Sequence, residues 1–469
     1  MASYRIKIAE SDFTELERLV FADRPNEAGA FALAGVANHL SGTDIIVRRP
    51  VAVPKEQFTF QSAHRLEISS QAINGLIALC EANGLGAVLC HSHPEDIPYS
   101  PSDDHGEGRI GEALRQFIPK APPIASLLFY PGGVRGRAWP AGEERPRSVS
   151  EILVVGRHLK RIGTANDRAT TVLDFDGLYD RQVRAFGRAG HAQIARTRVG
   201  IVGVGGTGSV TAEQLARLGV TDFVLLDRDR FESSNLTRVY GTFGSSCRQR
   251  WWKFWKGKPW KADLVAAHIR RINPDARVRA IKENVVVHSA AATLLDCHVI
   301  FLCTDEHWGR SIVNQIAYQY LIPTINLGAR ITATEGTISS AVGTVDMLRP
   351  DMPCLWCSQF LRADRIAAES MPQRARETLE QEGYVEGIDS AAPSVVSITT
   401  AVSGMAVSLF LQLVTDFMGP GGEIARLNYN VMDSTVRRGR AMLSSQCVCR
   451  QVRGFGDLKR LHTLAEMPS

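Results

Sequence analysis

The segment from His91 to Asp104, HSHPEDIPYSPSDD, sets two histidines, three serines and several carboxylates within one short stretch. A catalytic zinc takes about three protein ligands and keeps one position open for water, and imidazoles one residue apart on a loop can reach the same ion. His91 and His93 meet that need, with Asp103 as an oxygen donor on the following turn and its neighbour Asp104 as the alternative. Such an ion brings the pKa of its water down to about 7, and a carboxylate nearby can carry the released proton to a leaving amine. Without an ion, two histidines in a polar loop are ordinary surface residues.

A second cluster begins at Val199 with VGIVGVGGTGSVTAEQLARLG. Gly203, Gly205 and Gly208 spell GxGxxG between an apolar run and a helical one, with Gly206 in the same turn. Bare backbone amides and a helix N-terminus at such a turn receive phosphate, for NAD as well as for ATP. Asp227, at the end of the next apolar run, suits ribose hydroxyls in either case, and Asp229 follows it. The downstream residues separate the two cofactors. Asn235 and Arg238 give a polar and cationic pair, Lys261 a cation for a triphosphate, and Asp305 a carboxylate for Mg²⁺. A nicotinamide enzyme has no use for that set.

The third group is sulfur. Cys354 and Cys357 in PCLWC, with Cys447 and Cys449 in QCVCR, are four thiols in two pairs, which suits a closed structural zinc site better than a redox pair or buried thiols. Cys80, Cys90, Cys297 and Cys303 lie in apolar surroundings and read as core residues.

Elements must hold these clusters. A chain of 469 residues is too long for one core, so two or three domains are expected, and 44% hydrophobic against 22% charged residues excludes a disordered chain. The 54 basic and 49 acidic residues leave a net charge of +5, too small to call for nucleic acid or an anionic membrane. The N-terminal MASYRIKIAESDF lacks the apolar run and cleavage site of a secretory signal, and cysteines kept in tight pairs favour the cytoplasm. Ala391 to Thr415 has no charge and is long enough to span a bilayer, but its Pro, Gly and many Ser/Thr favour a buried strand and helix. From Val199 the order of apolar strand, glycine turn, helix SVTAEQLARLG and strand DFVLLDRD opens a parallel sheet, continued by HVIFLCTD and IPTINLG. In a doubly wound sheet of this kind ligands sit beyond the carboxyl ends of the strands.

Two family resemblances organise these groups. HSHP followed by SPSD resembles the JAB/MPN (JAMM) metalloprotease signature, over about the first 150 residues, and implies an α+β domain with a catalytic zinc on His91, His93 and Asp103. By the same resemblance Glu27, in NEAGAFALAG, is the acid/base, and Ser100 stabilises the oxyanion. The spacing from His93 to Asp103 departs from the commonest one by about a residue; Asp103 is preferred because Ser100 then holds the family's serine position. The array Gly203, Asp227, Asn235, Arg238, Lys261 and Asp305 resembles the ThiF/MoeB and ubiquitin-activating family, from about Tyr179 to Arg450, and implies a doubly wound Rossmann-like domain using ATP and Mg²⁺. There YDRQVRAFG aligns with the family's arginine segment, so Arg181 reaches the triphosphate in a partner protomer, which implies a homodimer. The implied reaction is adenylation of a carboxyl-terminal carboxylate, typically of a ubiquitin-like protein. Both activities then act on one substrate, a conjugating enzyme is among the implied partners, and neither nucleic acid nor membrane is expected.

The division expected from these signals is a hydrolase domain over 1–150, a linker over 151–172, an adenylation domain with its four-cysteine zinc over 173–455 and a tail over 456–469. No cysteine lies between Ser358 and Gln446, where ubiquitin-activating enzymes form a thioester, so the adenylate passes to another protein unless a distant thiol such as Cys247 acts. Trp251, Trp252, Trp255 and Trp260, interleaved with lysines, read as a partner or dimer contact rather than core. Competing readings are adenylation of a sulfur carrier or peptide in biosynthesis, an NAD-dependent oxidoreductase, and a scaffold that only binds a ubiquitin-like tail.

Overall fold

The structure is a computed structural model and describes residues 3–118, 124–163, 177–244, 257–371 and 393–461. It divides into two compact units, the first made of Met1–Val172, Tyr318–Leu321 and Val452–Arg460, the second of Leu173–Ala317, Ile322–Gln451 and Leu461–Ser469.

The first unit is built on β1 (Ser3–Ala9), α1 (Glu10–Val20), β2 (Gly29–His39), β3 (Gly42–Ala52), β4 (Phe58–Gln61), β5 (Leu66–Ile68), α2 (Ser70–Asn83), β6 (Gly86–Ser92), α3 (Pro101–Phe117), β7 (Ile124–Tyr130), β8 (Gly133–Trp139), β9 (Arg147–Ser148), β10 (Glu151–Val155) and β11 (Leu159–Gly163). Nine strands form one mixed sheet in the order β11-β10-β1-β3-β2-β6-β7-β8-β9, with β4 and β5 as a separate hairpin. Alternation along β2 sorts the two faces. Ala30, Ala32 and Ala34 face a core with Leu16 and Val20 of α1. Phe31 and Leu33 face Leu76 and Ile77 of α2 and Leu114 of α3. Small residues on one face and large ones on the other let one helix lie close and two helices pack across the sheet.

Helix boundaries here follow side-chain chemistry. Ser69 caps α2 by accepting from the Ala72 amide at 3.2 Å, and Gly84, at φ 63°, ends it in the left-handed conformation. Ser100 and Asp103 form a reciprocal capping box before Pro101, which fixes where α3 begins.

Two boundaries differ from those expected. Residues 151–163 are strands of this sheet rather than linker: β10 pairs in parallel with β1, and Ile152 and Val154 are buried. Val452–Arg460 belongs to the first unit rather than closing the second or trailing as a tail. Phe455 enters the core beside Leu33 and Leu76, Asp457 accepts from the Asn38 amide at 2.7 Å, and the Asp457 amide donates to the Val36 carbonyl at 2.6 Å.

The second unit contains α4 (Asp180–Arg196), β12 (Arg198–Val202), α5 (Gly206–Arg217), β13 (Asp222–Leu226), α6 (Lys261–Ile272), β14 (Arg277–Ile281), β15 (Val299–Leu302), α7 (His307–Gln319), β16 (Thr324–Thr334), β17 (Thr337–Leu348), α8 (Val396–Thr415), β18 (Arg426–Asn430) and β19 (Thr435–Gly439), with shorter helical turns between. Its sheet runs β14-β13-β12-β15-β16-β17-β18-β19. The first five of these strands are parallel and the last three continue antiparallel. The order steps outward from β12 to β14 and then resumes on the other side at β15, so a switch point lies between the carboxyl ends of β12 and β15.

The uncharged segment near its end is a single helix, α8, where a strand and helix were expected; residues 391 and 392 lie outside the described part. This helix is apolar and long enough to cross a membrane, and 56% of its most apolar window is buried, against α4, α5, β16 and β17.

Candidate functional site

In the first unit β6 delivers His91 at its carboxyl end, and the chain turns at His93 and Pro94 before α3 begins with Ser100 and Asp103. His91 Nε2 lies 3.5 Å from Asp103 Oδ1, and His93 Nε2 lies 3.8 Å from Asp103 Oδ2 and 3.7 Å from Glu27 Oε1. One ligand atom each from His91, His93 and Asp103 falls within 4.8 Å of the others, the spacing of donors around one ion. Two details fit a cation there. His91 Nε2 is buried with no hydrogen-bond partner. His93 Nδ1 lies 3.0 Å from the Ile97 carbonyl, and donating there leaves the Nε2 lone pair facing the cluster.

Electrostatics separate the carboxylates. Burial, then the neighbouring Asp103 charge, pushes Glu27 up to about 7. Burial works against ionisation of Asp103 too, but His91 and the Ser100 hydrogen bonds outweigh it and hold its pKa below the usual value. Asp104 faces away, in an ion pair with Arg137. Ser100, expected to face an oxyanion, instead donates its hydroxyl hydrogen to Asp103 at 2.8 Å and accepts the Asp103 amide.

In the second unit the glycine turn joins β12 to α5. Gly203 has φ 83°, and a Cβ there would stand 2.9 Å from the Thr304 amide, so only glycine fits between the two strand ends. A Cβ on Gly208 would lie 1.9 Å from the Gly203 carbonyl oxygen, whereas one on Gly205 would meet nothing within 4 Å. The turn is therefore tight at its ends and bare at Gly205. Asp227 braces it: one oxygen accepts the Val204 amide and the other the Asp229 amide, both at 2.8 Å. Lys261, the first residue of α6, reaches Asp229 at 2.8 Å, and Arg238 lies with its Cδ 3.5 Å from a Cβ built on Gly206. Asn235 is buried and its carbonyl side chain accepts the Glu232 amide at 3.1 Å. Asp305 stands exposed just past β15, across the switch point.

Arg181 is not part of this group. It is exposed on the first turn of α4 and makes no hydrogen bond or ion pair with the described residues. Trp251, Trp252, Trp255 and Cys247 lie outside the described residues. Trp260 is described, as the residue capping α6, with the Arg230 guanidinium 3.9 Å above its ring.

The thiols converge. Cys354 and Cys447 stand 3.4 Å apart, Cys354 and Cys357 3.7 Å, and Cys357 and Cys449 3.9 Å. A hydrogen bond from the Cys449 thiol pulls Cys354 down to about 5, a thiolate character suited to metal. The second pair, CxC rather than CxxC, still brings both sulfurs into the cluster. Cys80, Cys90 and Cys297 are buried, while Cys303 is only partly so and sits just past the carboxyl end of β15.

Several residues at these sites were not anticipated. Arg310 is buried in the first turn of α7, donates to the Thr304 carbonyl at 2.9 Å and lies over the Phe360 ring. Its signal was present, since a cation in a helix's first turn opposes the helix dipole and calls for a local reason. Arg228 pairs with Glu306 beside Asp305, and Tyr99, Glu107 and Arg137 stand behind His91.

A doubly wound sheet whose first five strands are parallel, with a glycine turn at its switch point and Lys261, Arg238 and Asp305 on the elements beside it, defines an α/β domain of the Rossmann-like class. The chain belongs to the ThiF family, whose model matches residues 179–450, more than half its length. Among curated proteins it is similar to "Ubiquitin-like modifier-activating enzyme 5" of Drosophila willistoni, 24% identical over 271 residues, covering 55% of this chain and 58% of that one. The enzyme of the same name from Aedes aegypti is 24% identical over 255 residues, covering 52% and 56%. The chain thus spans less than two thirds of these relatives' length. Among solved structures, E. coli MccB with ATP overlaps at TM-score 0.45 and 13% identity, covering 58% of this chain and 74% of that one. PaaA overlaps at TM-score 0.42 and 18% identity, covering 56% and 82%.

Proposed function

We propose that the chain is an ATP- and Mg²⁺-dependent adenylating enzyme acting on the carboxyl-terminal carboxylate of a ubiquitin-like protein, and that its first unit is a JAB/MPN-type zinc hydrolase for the same kind of tail. The observation that carries the first half is the bare turn at Gly205 with Arg238 and Lys261 gathered beside it, in a chain of the ThiF family. Relatives named as activating enzymes of a ubiquitin-like modifier support a protein carboxylate over a small acid as substrate.

The ATP phosphates would lie on the amides at Gly205 and Gly206, and the ribose against Asp227. Asp305 is the group to hold Mg²⁺. The substrate carboxylate attacks the α-phosphorus, the bond to the bridging oxygen breaks, and pyrophosphate leaves with its charge balanced by Arg238, Lys261 and an Arg181 brought by a second copy of the chain. Positioning and charge account for this step, and no side-chain nucleophile is needed. With no cysteine between Ser358 and Gln446, the acyl adenylate passes to a separate acceptor such as a conjugating enzyme.

In the hydrolytic half, His91, His93 and Asp103 would hold zinc, which supplies an acidified water and polarises the scissile carbonyl. Glu27, whose carboxyl is balanced near neutral pH, takes the proton of the attacking water and gives it to the departing amine nitrogen. Ser100, through its bond to Asp103, orients a ligand. The four thiols of the second unit would hold a second, structural zinc. A sulfur-carrier protein or peptide is the alternative substrate, and the acceptor of the adenylate decides between them.

The test of the adenylating half is exchange of labelled pyrophosphate into ATP with ubiquitin-like proteins ending in a free carboxylate. Exchange is expected to vanish in Asp305→Ala and in Lys261→Ala and to survive in His91→Ala. Reduction of NAD with no exchange would replace this reading with an oxidoreductase.

A further inference from the structure

Behind His91 lies a buried ion network that the hydrolytic scheme does not use. Glu107 of α3 and Arg137 of β8 are each 6% exposed and pair at 2.9 Å. Glu107 Oε2 also accepts from Ser126 Oγ and from Trp139 Nε1, each at 2.7 Å. Arg137 reaches the outer carboxylate Asp104 as well, and its guanidinium lies 3.7 Å over the Tyr99 ring. Tyr99 in turn meets His91 edge-on, with ring centroids 5.9 Å apart.

Helical geometry gives this network a consequence. Around α3, Glu107 falls between Asp103 and Asp104, about 40° from the first and about 60° from the second, so the two aspartates point about 100° apart on either side of it. Arg137 holds Glu107 and the Asp104 side of the helix against β8. With it held, Asp103 can turn only toward His91 and His93, and Asp104 is kept out.

We propose that the Arg137–Glu107 pair is a positioning device that sets the rotational phase of α3, selecting Asp103 over the adjacent Asp104 as the oxygen donor of the His91/His93 cluster. The proposal rests on the hydrolytic reading of that cluster. It explains how a loop of unusual length from His93 to Asp103 still presents the correct carboxylate: the phase is set by a contact behind the helix. Removing Arg137 alone would leave Glu107 buried and unpaired, so the useful variant changes both members together, Arg137→Met with Glu107→Gln.

The test follows Co²⁺ binding to the whole chain by visible absorption and counts only the absorption that His91→Ala removes, which separates this cluster from the four thiols. If His91→Ala removes none, the hydrolytic reading fails and the proposal with it. In the wild type, Asp103→Asn is expected to weaken this binding strongly and Asp104→Asn to leave it nearly unchanged. The double variant, with melting near that of the wild type, is expected to bind Co²⁺ about 10- to 100-fold more weakly and with a shifted spectrum. Adding Asp103→Asn to the double variant should then cost much less than it costs the wild type, because Asp104 can turn in. Arg137→Lys should restore part of the affinity if the cation matters and its fork sharpens the effect. Unchanged Co²⁺ affinity and spectrum in a folded double variant, or a full additive loss on adding Asp103→Asn, would overturn the proposal while leaving the hydrolytic reading standing.

Discussion

At the residue scale the two glycine positions inside one motif do different work. Gly208 is glycine because α5 rests on the Gly203 carbonyl, with 1.9 Å available for a Cβ; Gly205 has open space on the side where a phosphate would lie. Gly208→Ala is accordingly expected to disrupt the turn and lower the melting temperature, since backbone has to move. Gly205→Ala is expected to melt as the wild type does and to bind ATP more weakly, read by calorimetric titration against a thermal melt. The chemistry-bearing residues stood out in the sequence because His91, His93, Lys261 and Asp305 have few structural reasons to stand at such spacings, and the fold brings His91, His93 and Asp103 together. Where the residue string left Asp103 and Asp104 open, Asp103 stands beside His91 and His93 while Asp104 is in an ion pair with Arg137, a partner remote in sequence. Ser100 shows the converse, for its capping bond to Asp103 depends on where a helix begins, and a short motif does not specify that.

At the element scale, one strand pair carries a buried charge cluster that no motif announced. Asp44 of β3 is fully buried, accepts from Arg5 at 2.6 Å, forms an ion pair with Lys7 at 2.8 Å, both on β1, and stands 3.1 Å from His39. Burial alone would raise its pKa; Lys7, Arg5 and His39 together outweigh that and hold it well below the carboxylate range. Its folded value lies below its unfolded one, so its contribution to stability is complete above about pH 4. On further acidification the unfolded chain takes up the proton first, and the contribution declines toward the folded value. Asp44→Asn is expected to cost about 3–5 kcal/mol, since it removes the buried negative charge that Arg5 and Lys7 face. Urea unfolding near pH 7 and near pH 3 would measure this, and the gap between wild type and variant should narrow at the lower pH. The strands of the parallel sheet were readable because both faces are covered and the runs are apolar throughout. The helix α8 was misread in part because a buried helix that is apolar on all sides has no periodicity to distinguish it from a strand. Metal gives a second check at this scale: the folded chain is expected to carry two zinc equivalents by atomic absorption, His91→Ala losing one and Cys354→Ser the other.

At the scale of the molecule, the first unit is completed by residues from the far end of the chain. Phe455 fills a core position beside Leu33 and Leu76, lies under the Arg48 guanidinium at 4.0 Å, and is followed by Asp457 bonded to β2. Gly35 leaves room for this segment, since a Cβ there would lie 2.3 Å from the Gly454 carbonyl. A fragment ending at residue 163 is therefore expected to be unstable, and joining residues 452–460 to it by a flexible linker should restore cooperative melting. Phe455→Ala in the full chain is expected to cost the first unit about 3 kcal/mol. Composition and motif spacing described two domains in sequence, but a return of chain into the first sheet is a long-range pairing, and no local pattern encodes it.

Hydrolysis and adenylation belong together in one chain if both act on one tail. The most direct measurement supplies a ubiquitin-like precursor whose carboxyl end is blocked by an extra peptide and follows pyrophosphate exchange over time. The wild type is expected to release the peptide first and then to begin exchange, His91→Ala to do neither, and Asp305→Ala to release the peptide without exchange. Immediate exchange by His91→Ala on the blocked precursor, or no exchange by the wild type on any free-ended tail, would contradict the account.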